Sequence, residues 1–96
     1  MSGKKLYQKK MQAQLDEWKA VVDKLKIKAK RARTDIQMEM NKHIMTLERK
    51  IEEARTKLLV LAKAGEDAWG SIKEGVDAVW GSLKSAVNDA VVKFKL

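Results

Sequence analysis

Ninety-six residues with a net charge of +8, no cysteine and no proline allow one small domain, and they exclude a disulfide framework or a thiolate metal site. Charged residues make up 35% of the chain and aromatic residues 5%, with only five glycines, a profile of long helices rather than a sheet. The longest apolar run, Leu58-Leu59-Val60-Leu61-Ala62, is too short to span a bilayer.

The N-terminal stretch Met1-Ser2-Gly3-Lys4-Lys5 is basic but lacks an apolar segment after it, so no secretory signal is expected and a cytoplasmic protein is the default. The positive charge is uneven. Residues 1–33 hold eleven Lys/Arg against three acids, residues 34–64 six against five, and residues 65–96 four against five. An anionic partner is met first by the dense block Lys24, Lys26, Lys28, Lys30, Arg31 and Arg33.

From Tyr7 onward one stripe can be followed in steps of four and three: Met11, Leu15, Trp18, Val22, Leu25, Ala29, Ala32, Ile36, Met40, Ile44, Leu47, Ile51, Ala54, Leu58, Leu61. Consecutive steps of four at Ile36, Met40 and Ile44 form a stutter. A loop has no reason to preserve helical phase, and no Gly, Pro or Asn occurs between Lys4 and Met40. The pattern therefore predicts a single long helix over residues 5–63. The alternative is a break near Thr34, where Thr34-Asp35-Ile36-Gln37 matches a capping box and would divide the chain as a compact three-helix bundle.

Within the basic block, a wheel of about 100° per residue puts Lys26, Lys30, Arg33 and Lys19 on one flank of the apolar face. Lys24, Lys28 and Arg31 fall on the other flank, and Asp16 and Asp23 sit mid-way round the polar side. Cations on both polar–apolar borders suit a lipid-surface helix or the edge of a coiled coil. A DNA-binding helix more often shows one broad basic face.

Gly65 is read as the break before the last helix, expected over residues 66–94 with Glu66 and Asp67 in its first turn. That segment repeats every eleven residues, close to three helical turns. Trp69, Trp80 and Val91 form one row, Ile72, Leu83 and Phe94 a second, and Lys73, Lys84 and Lys95 a third. Trp18 joins Trp69, Ile72, Trp80, Leu83 and Phe94 as the residues expected to pack or to cover an apolar surface. Gly70, Gly75 and Gly81 each cost about 1 kcal/mol relative to Ala inside a helix, which makes this the labile element.

Nothing in the chain resembles catalytic machinery. His43 is the only histidine, and a metal site needs further ligands at helical spacing. Glu52 and Glu53 lie among Arg49, Lys50, Arg55 and Lys57, where intrahelical ion pairs are expected rather than paired catalytic carboxylates. No nucleophile elbow, phosphate loop or dinucleotide fingerprint is present, so no enzyme, cofactor or small-molecule substrate is expected.

Three segments carry a family resemblance: Gln14-Leu15-Asp16-Glu17-Trp18, Leu47-Glu48-Arg49-Lys50-Ile51-Glu52-Glu53-Ala54, and Gly65-Glu66-Asp67-Ala68-Trp69 with Val79-Trp80. With them the chain resembles short bacterial coiled-coil stress-response proteins, themselves similar to exchangeable apolipoproteins and late-embryogenesis-abundant proteins. The resemblance implies an all-α architecture and a role under stress, with no catalytic residues. The expected function is to cover anionic membrane surface or apolar client proteins. A nucleic-acid-binding accessory protein ranks below it, and a coiled-coil adaptor for another protein is a further alternative. A long helix half-covered by a short one would leave apolar surface exposed, so a homo-oligomer, as an antiparallel dimer or larger, is expected.

Overall fold

The computed structural model describes residues 3–96; Met1 and Ser2 of the basic N-terminal stretch lie outside them. Three helices follow in order: α1 (Gly3–Arg31), α2 (Thr34–Lys63) and α3 (Trp69–Phe94). The architecture is all-α and bundle-like, with no strand among the described residues.

The single helix over 5–63 is not formed. The chain reverses at Ala32 and Arg33, and Arg33 is extended with φ −62° and ψ 155°. The physical reason is burial. A straight helix of about 59 residues runs about 90 Å and leaves its stripe in water; the folded molecule measures 52 × 20 × 18 Å. Interrupting the helix forfeits a few backbone hydrogen bonds, each about 0.5–1.5 kcal/mol net. Burying a single Leu or Ile side chain contributes about 1.5–3 kcal/mol, and the reversal buries many.

Thirteen of the fifteen stripe residues are buried, and the two that escape are Ala32 and Ile36, at the turn itself. Helical phase survives across the break because both stripes face the same seam of an antiparallel hairpin. The capping box marks the right place but does not form. Thr34 is already inside α2, and Arg33, which offers no side-chain cap, occupies the N-cap. Gln37 instead points backward, its Nε2 donating at 2.8 Å to the Ala29 carbonyl, which also accepts from the Ala32 amide at 3.2 Å.

The second connection also differs from expectation. α3 starts at Trp69 rather than 66, and its first turn carries no acid. Glu66 and Asp67 lie in a preceding turn closed by the amides of Ala68 and Trp69 on the Gly65 carbonyl, at 3.0 and 3.2 Å. Gly65 lies in the break as expected, without positive φ. A left-handed cap lies at the other end of α3, where Lys95 has φ 53° and ψ 50°.

The helices run up, down and up. Lys4 Nζ donates to the Ala62 and Ala64 carbonyls, placing the start of α1 beside the end of α2. Lys28 Nζ donates to the Phe94 carbonyl at 2.7 Å, placing the ends of α1 and α3 together. α2 packs extensively on both neighbours, whereas α1 and α3, parallel to each other, touch much less. One core joins all three, with Leu15, Leu25, Leu47, Leu61 and Leu83 fully buried. Because the chain covers its own stripe, a dimer is not needed to bury it.

Candidate functional site

Shallow contact between α1 and α3 leaves a valley at the end where both helices finish. Its volume is about 680 Å³, inside the roughly 300–1,000 Å³ of small-molecule sites. The apolar lining comes from all three helices and the first turn: Ile27 from α1, Ala32 from the turn, Ile36 and Met40 from α2, and Phe94 from α3. Ile27 is 56% and Ile36 40% exposed, while Met40 and Phe94 are buried and form the deeper part.

The rim is cationic. Lys24, Lys28 and Arg31 descend one side of α1 at steps of four and three, and Lys93 and Lys95 stand on the α3 side. Two of the five are committed to the fold. Lys28 caps the end of α3 through the Phe94 carbonyl and, at 3.4 Å, the Lys95 carbonyl. This offsets the partial negative charge of a helix C-terminus. Lys93 pairs with Glu39, whose carboxyl it holds below the usual range, and also lies 5.8 Å over the Phe94 ring. Among the described residues, the side chains of Lys24, Arg31 and Lys95 form no hydrogen bond or ion pair.

The two flanks read from the helical wheel are thus physically separated. Lys24, Lys28 and Arg31 reach the groove, whereas Lys26, on the other flank, pairs with Glu48 at 2.9 Å. Arg33 meets Asp35 at 3.5 Å in the turn, and Lys30 is exposed away from the groove. Taking the end of the bundle as residues 24–43 with 88–96, nine Lys/Arg stand against three acids, or +6 of the chain's +8. The opposite end, residues 3–12 with 55–75, holds eight Lys/Arg against three acids, or +5, and the waist between them is slightly acidic. Both ends are thus basic, the groove end only slightly more so.

The expected apolar-surface residues are mostly core. Trp18 and Trp80 face each other with ring centroids 6.5 Å apart, and Trp80 Nε1 donates to the Met11 carbonyl at 3.4 Å. Trp69 is half-buried against Tyr7 at the far end, 5.9 Å between centroids. Leu83 is fully buried and Ile72 partly so. Only Phe94 of that set lines the groove. In α3 the buried residues Val76, Trp80, Leu83, Val87, Ala90 and Phe94 step by four and three. The eleven-residue spacing is kept to Val87 and then departs at Ala90, which is buried where the repeat places Val91.

Outside the groove, His43 packs edge-on against Phe94 at 5.1 Å. Arg55 and Glu52 form the expected intrahelical pair at 2.6 Å. Tyr7 donates a short hydrogen bond to Asp77; burial first, and then that carboxylate, push the phenol above its ordinary value. No helix among the described residues is long and apolar enough to cross a membrane.

Sequence reasoning missed Ile27, Ala32, Ile36, Met40, Lys93 and Lys95 as site residues, reading Ala32, Ile36 and Met40 only as the stripe and Lys95 only as a row of the repeat. Ile27 had a signal: a lone isoleucine amid alternating lysines, on the polar side of the wheel. Lys93 had none, because its role depends on where α3 ends against α1. No family model, curated protein or solved structure matches this chain.

Proposed function

We propose that this protein is a non-enzymatic helical bundle that binds anionic lipid surfaces through its groove end and covers them, as a response to stress would require. One observation carries the reading: at one end of the bundle a cationic rim surrounds an apolar opening bordered by exposed Ile27 and Ile36. Cations beside apolar side chains suit a surface where phosphate lies over hydrocarbon. α3, glycine-bearing and held mainly by α2, would have to leave that helix to lay its ribbon on the same surface. Apolar client proteins would be met by that released ribbon.

The test is co-sedimentation with vesicles, using phosphatidylglycerol mixed into phosphatidylcholine against phosphatidylcholine alone, at two salt concentrations. Because Trp18 and Trp80 are already buried in the bundle, a fluorescence blue shift is a poor reporter; quenching of Trp by brominated lipid is a direct one. Retention on the anionic vesicles that partly survives high salt supports the reading, since apolar burial is not screened. Failure to bind them overturns it. Binding instead to duplex DNA, with affinity falling steeply in salt, would point to phosphate contacts alone.

A further inference from the structure

We propose that the groove between the ends of α1 and α3 is a binding site for a single-chain anionic amphiphile, a fatty-acid carboxylate. Its chain lies on Ile27, Ile36, Met40 and Phe94, and its headgroup sits among Lys24, Arg31 and Lys95. The inference deepens the lipid-surface reading by naming the ligand of that same end.

Three observations converge on this chemistry. The lining is apolar and drawn from every helix, at a volume of about 680 Å³ that holds a small molecule rather than a polymer segment. Ala32 and Ile36 are the stripe residues that the reversal leaves uncovered, and exposed Ile27 lines the same opening above buried Met40 and Phe94. The rim holds five cations, of which Lys28 and Lys93 are spent on the Phe94 carbonyl and Glu39, leaving three with no partner among the described residues. A small inorganic anion would satisfy the cations and leave the lining wet. A neutral apolar molecule would cover the lining and leave three like charges facing one another. An anion with one hydrocarbon chain answers both, whereas a phospholipid in a bilayer keeps its chains among its neighbours.

Lys95 adds an independent mark. Its φ of 53° lies in the left-handed region, which at a helix end is ordinarily occupied by Gly. A lysine held there puts a cation on the rim at the expense of local backbone strain, and such outliers concentrate at binding sites.

The experiment is calorimetric titration of the full chain with dodecanoate below its micelle concentration, with dodecanol and inorganic phosphate in parallel. The wild type should bind one dodecanoate, bind dodecanol more weakly and show no phosphate binding. Lys95→Gly should weaken dodecanoate about three- to fivefold, as loss of one exposed charge contact does, while holding or raising the melting temperature. That opposite movement separates a lost ligand contact from a damaged fold. Ile27→Ser, at an exposed position, should weaken dodecanoate with no change in melting. Absence of saturable binding, or binding indifferent to both substitutions, overturns the site. Vesicle retention measured on the same variants keeps the two ideas apart: anionic vesicles bound without dodecanoate would sink the groove and leave surface binding standing. Dodecanoate bound without vesicle retention would sink surface binding and leave the groove standing.

Discussion

Replacing Gly70, Gly75 and Gly81 together by Ala should stabilise the bundle substantially. A Cβ built at any of the three meets no heavy atom within 4 Å beyond the helix's own neighbouring backbone, so the added methyl has room. None of the three has positive φ, so Ala fits the backbone without strain. What remains is helix propensity, about 1 kcal/mol for each interior Gly→Ala change. Gly70 lies in the first turn of α3, where the gain is smaller, giving about 2–3 kcal/mol in all. For a domain of this size each kcal/mol moves the melting temperature by about 4–8 °C, so the triple variant should melt roughly 10–20 °C higher by circular dichroism at the helix band. Hydrogen exchange should slow most in residues 69–94. An unchanged or lower melting temperature would refute the reasoning, because it would mean the glycines make close contacts that the open surroundings deny. If α3 release serves surface covering, the same variant should also bind anionic vesicles more weakly.

Three further outcomes follow from specific contacts. Gln37→Ala removes one of the two donors to the Ala29 carbonyl and should cost about 1 kcal/mol, with faster amide exchange confined to the end of α1 and the turn. The Tyr7 phenol is favoured neutral in the folded state, so its contribution is complete below the free-tyrosine pKa, about 10, and is lost as pH rises through the higher folded value. Tyr7→Phe should therefore flatten the alkaline part of the stability–pH curve relative to wild type, while costing about 0.5–1 kcal/mol near neutrality. Light scattering at micromolar concentration should return the mass of one chain, 10.9 kDa. A dimer mass would instead assign an interface to the exposed Met38, Met45, Leu59 and Val60 of α2.

The all-α fold was legible because its signal is periodic and local. Of the fifteen residues from Met11 to Leu61 that share one helical face, all but Ala32 and Ile36 are buried in the core, including Trp18, which meets Trp80 of α3. The reversal at Ala32 and Arg33 was legible only as an alternative, because no residue there breaks a helix. It is imposed by the gain from folding the stripe onto itself, a tertiary effect that leaves no composition mark beyond the stutter at Ile36–Ile44 and the polar Thr34. The α3 ribbon was legible as apolar, but its period could not say whether Trp80 and Leu83 would meet another helix or a lipid. Half of the groove was present in the wheel, as the row Lys24, Lys28 and Arg31. The other half was not, since Lys93, Phe94 and Lys95 join that row only through a contact spanning more than sixty residues, such as Lys28 to Phe94.

The fold and the candidate site have one origin. An antiparallel hairpin must leave its outermost stripe residues uncovered, because the partner helix stops there; here those residues are Ala32 and Ile36. Beside them α3 stops at Phe94, with Lys95 in a left-handed cap and Lys28 reaching across to hold the terminal carbonyls. Capping that helix end needs a cation in the region and does not need five. The three without partners raise local positive potential, which works against packing the ends of α1 and α3 together, since like charges at an exposed rim repel. A chain selected for stability alone would replace some of them with neutral or acidic residues at little structural cost. Around an uncovered apolar surface, an anion bearing hydrocarbon would relieve both costs at once.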